Sequence, residues 1–245
     1  MSEPRRTEDA LFETYLALSH VISVPPESPL APLPGEAPEQ TPRYYVARAT
    51  WGAWRSFFAP NLPAALVANL TTLGPERALT DPDAALRLFA AHHVPCYMTW
   101  LGRTSRFPDL LEVLPSDEQP SALPMPAGID VYGEKPPSGW FPYTPGDATA
   151  PGVFVPRQFA IIADGLVVAT CESSRESRVA AEAWVRTLPS YRGRGYATRV
   201  TAAWARDVRR RSKEPFYSHH RENLASAGVA RALNLLPFLE DAGYL

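Results

Sequence analysis

The sequence predicts a mixed α/β fold, with a largely antiparallel sheet flanked by helices and a helix- and loop-rich N-terminal half. Strand-like and helix-like segments alternate from residue 158 onwards. Asp164 followed by Gly165, between two apolar runs, is a strong hairpin signal. Proline-rich stretches at 24–42 and 115–156 divide the first part of the chain, and proline disfavours both helices and central strands. We therefore expect three segments: residues 1–114, a Pro/Gly-rich packed loop at 115–156, and a core at 157–245.

The N-terminal half is expected to contain three helices and several short strands. Residues 7–22 have apolar side chains at helical spacing, and a helix within 62–74 should end at Gly74. Another helix starts with Asp81 as its N-cap and Pro82 at its first position, both common at helix starts. Strands are predicted within 43–50 and 95–101, with a weaker candidate at 109–114.

The C-terminal core is predicted to run hairpin, strand, helix, strand, helix, strand. The strands are expected within 158–171, 179–187, 214–219 and 235–245, and residues 171–177 are expected to form a polar loop. The first helix spans about Gly195 to Arg211, with Val200, Trp204 and Val208 on its buried stripe. Asn223 is predicted to cap the second helix.

The composition excludes several classes of protein. The 245-residue chain has a formal net charge of −2, so it lacks the overall basic character of a nucleic-acid binder. Its two cysteines form neither a disulfide framework nor a zinc ligand set, and a cytoplasmic location is expected. The charged N-terminus does not resemble a signal peptide, and no apolar stretch is long enough to span a membrane. His219 and His220 lack a third ligand at suitable spacing, so no metal site is expected.

A glycine-rich loop at the start of a helix is the most informative feature. The segment RGRGYA, residues 192–197, joins a predicted strand to the helix that follows. Helix N-termini present backbone N–H groups and a partial positive charge, and glycines let an anion approach closely. Arg192 and Arg194 add charges that can pair with phosphate oxygens. The sequence therefore predicts an oxyanion site here.

Three phosphate-binding designs place a glycine-rich loop before a helix, and they differ in the residues that they need. A P-loop would need a lysine, which the loop lacks. A dinucleotide fingerprint would need a third glycine where Thr198 stands, and it would open a βαβ unit rather than follow a hairpin. The third design fits: RGRGYA resembles the Arg/Gln-x-x-Gly-x-Gly/Ala signature of the GNAT superfamily of acyl-CoA-dependent N-acetyltransferases. The resemblance covers about residues 155–245.

This resemblance implies acetyl-CoA as acyl donor and assigns roles to residues of the core. The coenzyme A pyrophosphate would lie on the loop, the pantetheine arm along the preceding strand, and Glu182 on that strand would be the catalytic base. The family's usual tyrosine acid corresponds to Ala230, which puts that role in doubt; Tyr217, Ser218 and His219 are nearby alternatives. The cofactor-binding residues implied by the resemblance are Val185, Thr187, Arg192, Gly193, Arg194, Gly195, Tyr196, Ala197, Asn223 and Ser226.

The implied function is direct transfer of an acetyl group to an amine on a small molecule or a protein. One alternative is a non-catalytic acyl-CoA-binding sensor or scaffold, which the missing tyrosine favours. Another is a different nucleotide-binding module. No nucleic-acid or membrane partner is expected, and a homodimer is left open.

Overall fold

The structure, a computed structural model, describes residues 7–19, 30, 41–108, 123–125, 158–164 and 166–245. Its contacts divide into two compact units, which are described separately. The first comprises the chain up to Arg106 with Ser218–Ser226 and Leu236–Leu245. The second comprises Phe107–Tyr217 and Ala227–Leu235.

The described residues of the first unit contain the helices α1 (Glu8–Ser19), α2 (Ala64–Leu73), α3 (Pro75–Thr80) and α4 (Pro82–Ala91). Local chemistry explains the end of α2 and the start of α4. Gly74 ends α2 with a φ of 80°, in the region that favours glycine. The Asp81 carboxylate accepts a hydrogen bond from the Ala84 backbone N–H at 3.3 Å, which caps α4.

The sheet of the first unit is antiparallel. It contains β1 (Tyr44–Ala49), β2 (Trp54–Phe58), β3 (Met98–Arg106) and β9 (Leu236–Tyr244), in the order β2-β1-β9-β3. One face packs Tyr44, Val46 and Tyr244 against apolar residues of α2, α3 and α4. The C-terminal strand therefore lies between strands from the first half of the chain.

The second unit contains β4 (Leu123–Met125), β5 (Gln158–Ala163), β6 (Leu166–Glu176), β7 (Ala180–Thr187) and α5 (Tyr196–Arg210). Its strands follow the antiparallel order β7-β6-β5-β4. Strand β8 (Glu214–His220) runs parallel to β7, and helix α6 (Leu224–Ala232) follows it. The division between the units falls within β8 and α6.

Helix α5 is the packing centre of the second unit. Val200, Trp204 and Val208 are fully buried, as the helical pattern predicts. The Trp204 indole N–H donates to Ser173 Oγ at 3.1 Å, which satisfies a buried donor. This contact helps to hold the helix on β6.

The predicted fold class and the element order from residue 158 are confirmed. The polar loop predicted at 171–177 is wrong: β6 continues to Glu176, with Cys171 and Ser173 buried and paired to β7. Helix α3 and the strands β2 and β4 were not predicted, and β4 lies within the segment expected to be a loop. The strand expected at 109–114, Gly165 and most of 24–42 and 115–156 lie outside the described residues, and the three-segment division stays a prediction. None of the helices in the part of the chain that the structure describes is long and apolar enough to cross a membrane.

Candidate functional site

The loop between β7 and α5 has the backbone conformation that its glycines predict. A short 3-10 turn, Pro189–Tyr191, leads into an extended Arg192. Gly193 and Gly195 both have a φ of 76°, where a side chain would strain the backbone. No described atom lies within 4 Å of a Cβ placed on either glycine. The glycines therefore serve the backbone conformation, and the space beside them is open.

The N-terminus of α5 provides backbone donors next to an exposed loop. Gly195 is the N-cap, and no side chain accepts a hydrogen bond at this end among the described residues. The first amides of a helix, here including those of Tyr196 and Ala197, have no intrahelical acceptor, and the helix dipole adds partial positive charge. Residues 192–195 are exposed to solvent. An oxyanion can therefore reach these N–H groups.

The two loop arginines lie along the loop. The Arg194 guanidinium carbon is 4.9 Å from the Tyr191 ring centroid, and its Nη2 donates to the Ser190 carbonyl at 3.3 Å. Arg192 Nε donates to the Thr187 carbonyl at 3.5 Å. Because both side chains are exposed, they can turn towards an anion at little cost.

Tyr191 is a supporting residue that the sequence analysis missed. Its hydroxyl donates to Asp164 Oδ2 at 2.9 Å, which ties the loop to the β5–β6 turn. This hydrogen bond raises the pKa of Tyr191. Two features of the sequence could have indicated this role: Tyr191 lies next to the loop motif, and Asp164 is a predicted turn residue. Only the fold shows that these two residues bond to each other.

Val185 and Thr187 lie on the strand that leads to this loop. Val185 packs against the hydrophobic core that contains the buried residues of α5. Because side chains alternate along a strand, Thr187 lies on the same face of β7 as Val185. Thr187 Oγ1 is buried, and no described residue is a hydrogen-bond partner for it. The parallel register of β7 with β8 ends at Glu182 and Phe216, whereas β7 continues to Thr187. This end of β7 thus holds a buried hydroxyl that a ligand can satisfy.

Glu182 lies on the opposite face of β7 from Val185 and Thr187. It is 5% exposed, and Arg175 Nη1 lies 3.5 Å from its Oε2. A bulge in β6 at Ser174 interrupts the register beside it, and Ser174 Oγ donates to the Glu182 carbonyl at 3.2 Å. Bulges are common beside active sites, because they redirect side chains. The arrangement provides a buried carboxylate with Arg175 as a cationic neighbour.

Asn223 caps α6, as predicted: the Ser226 backbone N–H donates to Asn223 Oδ1 at 3.0 Å. Both residues belong to the first unit, whereas the glycine loop belongs to the second. Their contact with a cofactor stays a prediction.

The residues considered for the general acid differ in how far they are exposed to solvent. Ala230 is partly buried and provides no hydroxyl. Tyr217 is 1% exposed within the core of the second unit. His219 is 7% exposed, and its Nδ1 lies 2.8 Å from the His220 carbonyl oxygen. In the described ranges, no three His, Cys, Asp or Glu side chains are grouped as a metal site would need.

Residues 158–235 match the family model of the GNAT acetyltransferases. This segment belongs to the GNAT superfamily. The GNAT segment contains the strand β7, the glycine loop and helix α5. Comparison with curated protein sequences gives no match.

Several solved structures are similar to the chain at low identity. A GCN5-related N-acetyltransferase from Sphaerobacter thermophilus is 16% identical, with a TM-score of 0.47 over 85% of this chain and 78% of that one. A GCN5-related N-acetyltransferase-like protein from Streptococcus suis is 16% identical, with a TM-score of 0.45 over 84% of each chain. A GNAT-family acetyltransferase from Colwellia psychrerythraea is 12% identical, with a TM-score of 0.43 over 98% of each chain.

Proposed function

We propose that the chain is an N-acyltransferase that moves an acetyl group from acetyl-CoA to an amine by direct transfer. The observation that carries the proposal is the exposed α5 N-terminus, reached through two glycines at φ 76° within the GNAT segment. The acceptor is an amine on a small molecule or a protein. Cys96 and Cys171 are free thiols, which supports a reducing, cytoplasmic setting.

The residues of the loop fit a pyrophosphate. Oxyanions bind at helix N-termini because backbone N–H groups and the helix dipole both favour negative charge. The buried Thr187 Oγ1 is a further polar atom that can bind the donor. Six residues would hold the pyrophosphate: Arg192, Gly193, Arg194, Gly195, Tyr196 and Ala197. Val185 and Thr187 would align the pantetheine arm.

The bound donor would supply a thioester and a thiol leaving group. The chain must orient the amine and accept its proton, because only a neutral amine is nucleophilic. Glu182 is the proposed base, acting directly or through water. Its burial excludes most of the solvent, and Arg175 can keep the carboxylate oriented towards β6. A carboxylate in this position can receive a proton from the acceptor.

Calorimetric titration with acetyl-CoA tests cofactor binding. Gly195→Glu puts a negative side chain beside the α5 N-terminus, and we expect it to abolish binding that the wild type shows. Gly52→Glu is the matched control, since Gly52 has a φ of 93° and no described atom within 4 Å of its Cβ position. It therefore adds the same charge and comparable backbone strain in another unit. If wild type, folded by circular dichroism, does not bind acetyl-CoA, the proposal is wrong.

Thiol release with a panel of amines tests catalysis. Glu182→Gln should lower kcat by about 10²–10⁴-fold, the usual contribution of a general base, while acetyl-CoA still binds. The second candidate is a non-catalytic acyl-CoA-binding sensor or scaffold, which the alanine at position 230 favours. It predicts binding without thiol release for every amine, whereas turnover with any amine excludes it.

A further inference from the structure

The sheet of the first unit brings three arginines around one carboxylate. Arg48 of β1 and Arg103 of β3 are each directly opposite Glu240 of β9 in the antiparallel register. Directly opposite residues share a face of the sheet. Arg221, which follows β8 in the same unit, completes what we call the Glu240 cluster.

All three arginines contact Glu240. Arg48 Nη2 lies 2.7 Å from Oε2, Arg103 Nε 3.1 Å from Oε1, and Arg221 Nη2 3.5 Å from Oε1. Burial acts to raise the pKa of Glu240, but the hydrogen bonds and charges of the arginines outweigh it and lower the pKa. The carboxylate is therefore ionised at neutral pH, and it neutralises one of the three guanidinium charges.

The neighbouring Asp241 does not compensate the remaining charge. It lies on the opposite face of β9, where Tyr45 OH donates to its Oδ2 at 2.7 Å and Trp100 Nε1 to its Oδ1 at 2.8 Å. Glu222, next to Arg221 in the chain, is exposed, where solvent weakens its effect on the cluster. Counting only the residues that the structure describes, the Glu240 cluster thus has an excess of two positive charges.

Two of the arginines are held in place before any ligand binds. The Arg48 guanidinium carbon lies 5.3 Å from the Trp54 ring centroid, a cation–π contact. The Arg221 backbone N–H donates to the Leu101 carbonyl at 2.9 Å, which anchors this residue beside β3. Arg221 Nε is buried, and none of the described residues accepts its hydrogen bond. A buried donor without an acceptor is costly, so an added acceptor would stabilise the cluster.

We propose that the Glu240 cluster binds a phosphate group, either as free phosphate or as part of a small metabolite. A phosphate monoester carries about −1.5 to −2 charges at pH 7, which matches the excess charge, and three strong acceptor oxygens. The planar guanidinium fork pairs with such oxygens in bidentate geometry. The three arginine side chains are 36%, 55% and 32% exposed, so a ligand can reach them. None of the four residues of the Glu240 cluster is among those proposed to bind acetyl-CoA.

Equilibrium dialysis with radiolabelled inorganic phosphate, at ionic strength held constant with chloride, tests the proposal. All proteins carry Gly195→Glu, because the α5 loop is itself an expected oxyanion site. We expect one phosphate per chain in this background. Arg221→Gln and Arg103→Gln should each raise the dissociation constant about tenfold, the contribution of one charge-assisted hydrogen bond. Glu240→Gln should lower it, because it removes the competing negative charge.

Arg87→Gln is the matched control. Arg87 belongs to the same unit, is 66% exposed and lies 3.6 Å from Asp81, so the change removes one positive charge outside the cluster. Arg103 is more than half exposed, so its variant should fold even if Arg221→Gln does not.

The proposal is overturned if the background protein binds no phosphate, or if Arg103→Gln binds it as tightly as Arg87→Gln. Equal or weaker binding by Glu240→Gln would contradict its electrostatic basis. A second dialysis experiment, with labelled glycerol phosphate, distinguishes the phosphate group of a metabolite from free phosphate. Binding at least as tight as that of inorganic phosphate indicates a metabolite, and weaker binding indicates free phosphate.

Discussion

The buried carboxylate of Glu176 should contribute strongly to the stability of the second unit. Its side chain is 3% exposed at the end of β6. Arg211 and Lys213 both bond to its Oε1, and Ser173 Oγ donates to Oε2 at 2.8 Å. These contacts join β6 to the residues between α5 and β8. Glu176→Gln keeps the shape of the side chain but removes the negative charge that Arg211 and Lys213 contact.

The loss of unfolding free energy expected for Glu176→Gln follows from the burial of this side chain. Removing one partner of a buried ion pair costs about 3–5 kcal/mol. The lower value of about 3 kcal/mol applies here, since Arg211 retains Asp207 at 3.0 Å and the Lys213 side chain is 14% exposed. At about 2–4 °C per kcal/mol for a chain of this size, the Tm should fall by roughly 6–12 °C.

Urea unfolding followed by circular dichroism, together with thermal unfolding, measures the loss. Glu13→Gln is the control, because Glu13 and its partner Arg55, 2.6 Å away, have side chains that are 42% and 35% exposed. An ion pair with this much contact with solvent contributes about 0.2–1 kcal/mol, so this variant should change the Tm much less than Glu176→Gln. If Glu176→Gln costs no more than Glu13→Gln, the assigned role of the buried network is refuted.

Three further predictions concern titratable groups. The hydrogen bond to Asp164 raises the pKa of Tyr191 in the folded state, so its stabilisation is present below about pH 10 and is lost as the pH rises through the folded value. Tyr191→Phe should therefore show a smaller fall in Tm between about pH 9 and 11 than wild type, and an equal fall would contradict this. Burial lowers the pKa of His220, so the folded protein should lose stability as the pH falls below about 6.5. In urea unfolding, His220→Gln should lose less free energy of unfolding over this pH range than wild type. Burial raises the pKa of Cys96 to about 11, against a smaller opposing effect of Arg43, and it also raises the pKa of Cys171. Both thiols should react slowly with iodoacetamide at pH 8 until urea unfolds the chain, and rapid labelling of native protein would refute this.

The sequence predicted best those elements whose conformation depends on residues close together in the chain. Asp81 and Asn223 cap their helices through bonds to amides three residues ahead. Gly195 precedes α5 because the φ of 76° suits a residue without a side chain. The end of β6 was missed because its Ser- and Glu-rich sequence has low strand propensity. Pairing with β7 and burial of Ser173 against Trp204 override that propensity.

In the candidate site too, the sequence predicted the local features but not the contacts made by the fold. The motif RGRGYA predicted the loop and its place before α5, because glycine spacing and a helix start are local properties. It did not predict that Arg194 would stack on Tyr191, or that Thr187 would bury its hydroxyl. These depend on which side chains the folded strand and loop bring together.

By itself, the sequence determined the helix caps, the hairpin, the glycine loop and the membership of residues 158–235 in the GNAT superfamily. Each of these depends on residues that are close together in the chain. Tertiary structure alone decided the Glu240 cluster, in which Arg48 and Glu240 are 192 residues apart. Their meeting requires the register of β1 with β9, and that register is set by packing across the whole sheet rather than by either strand.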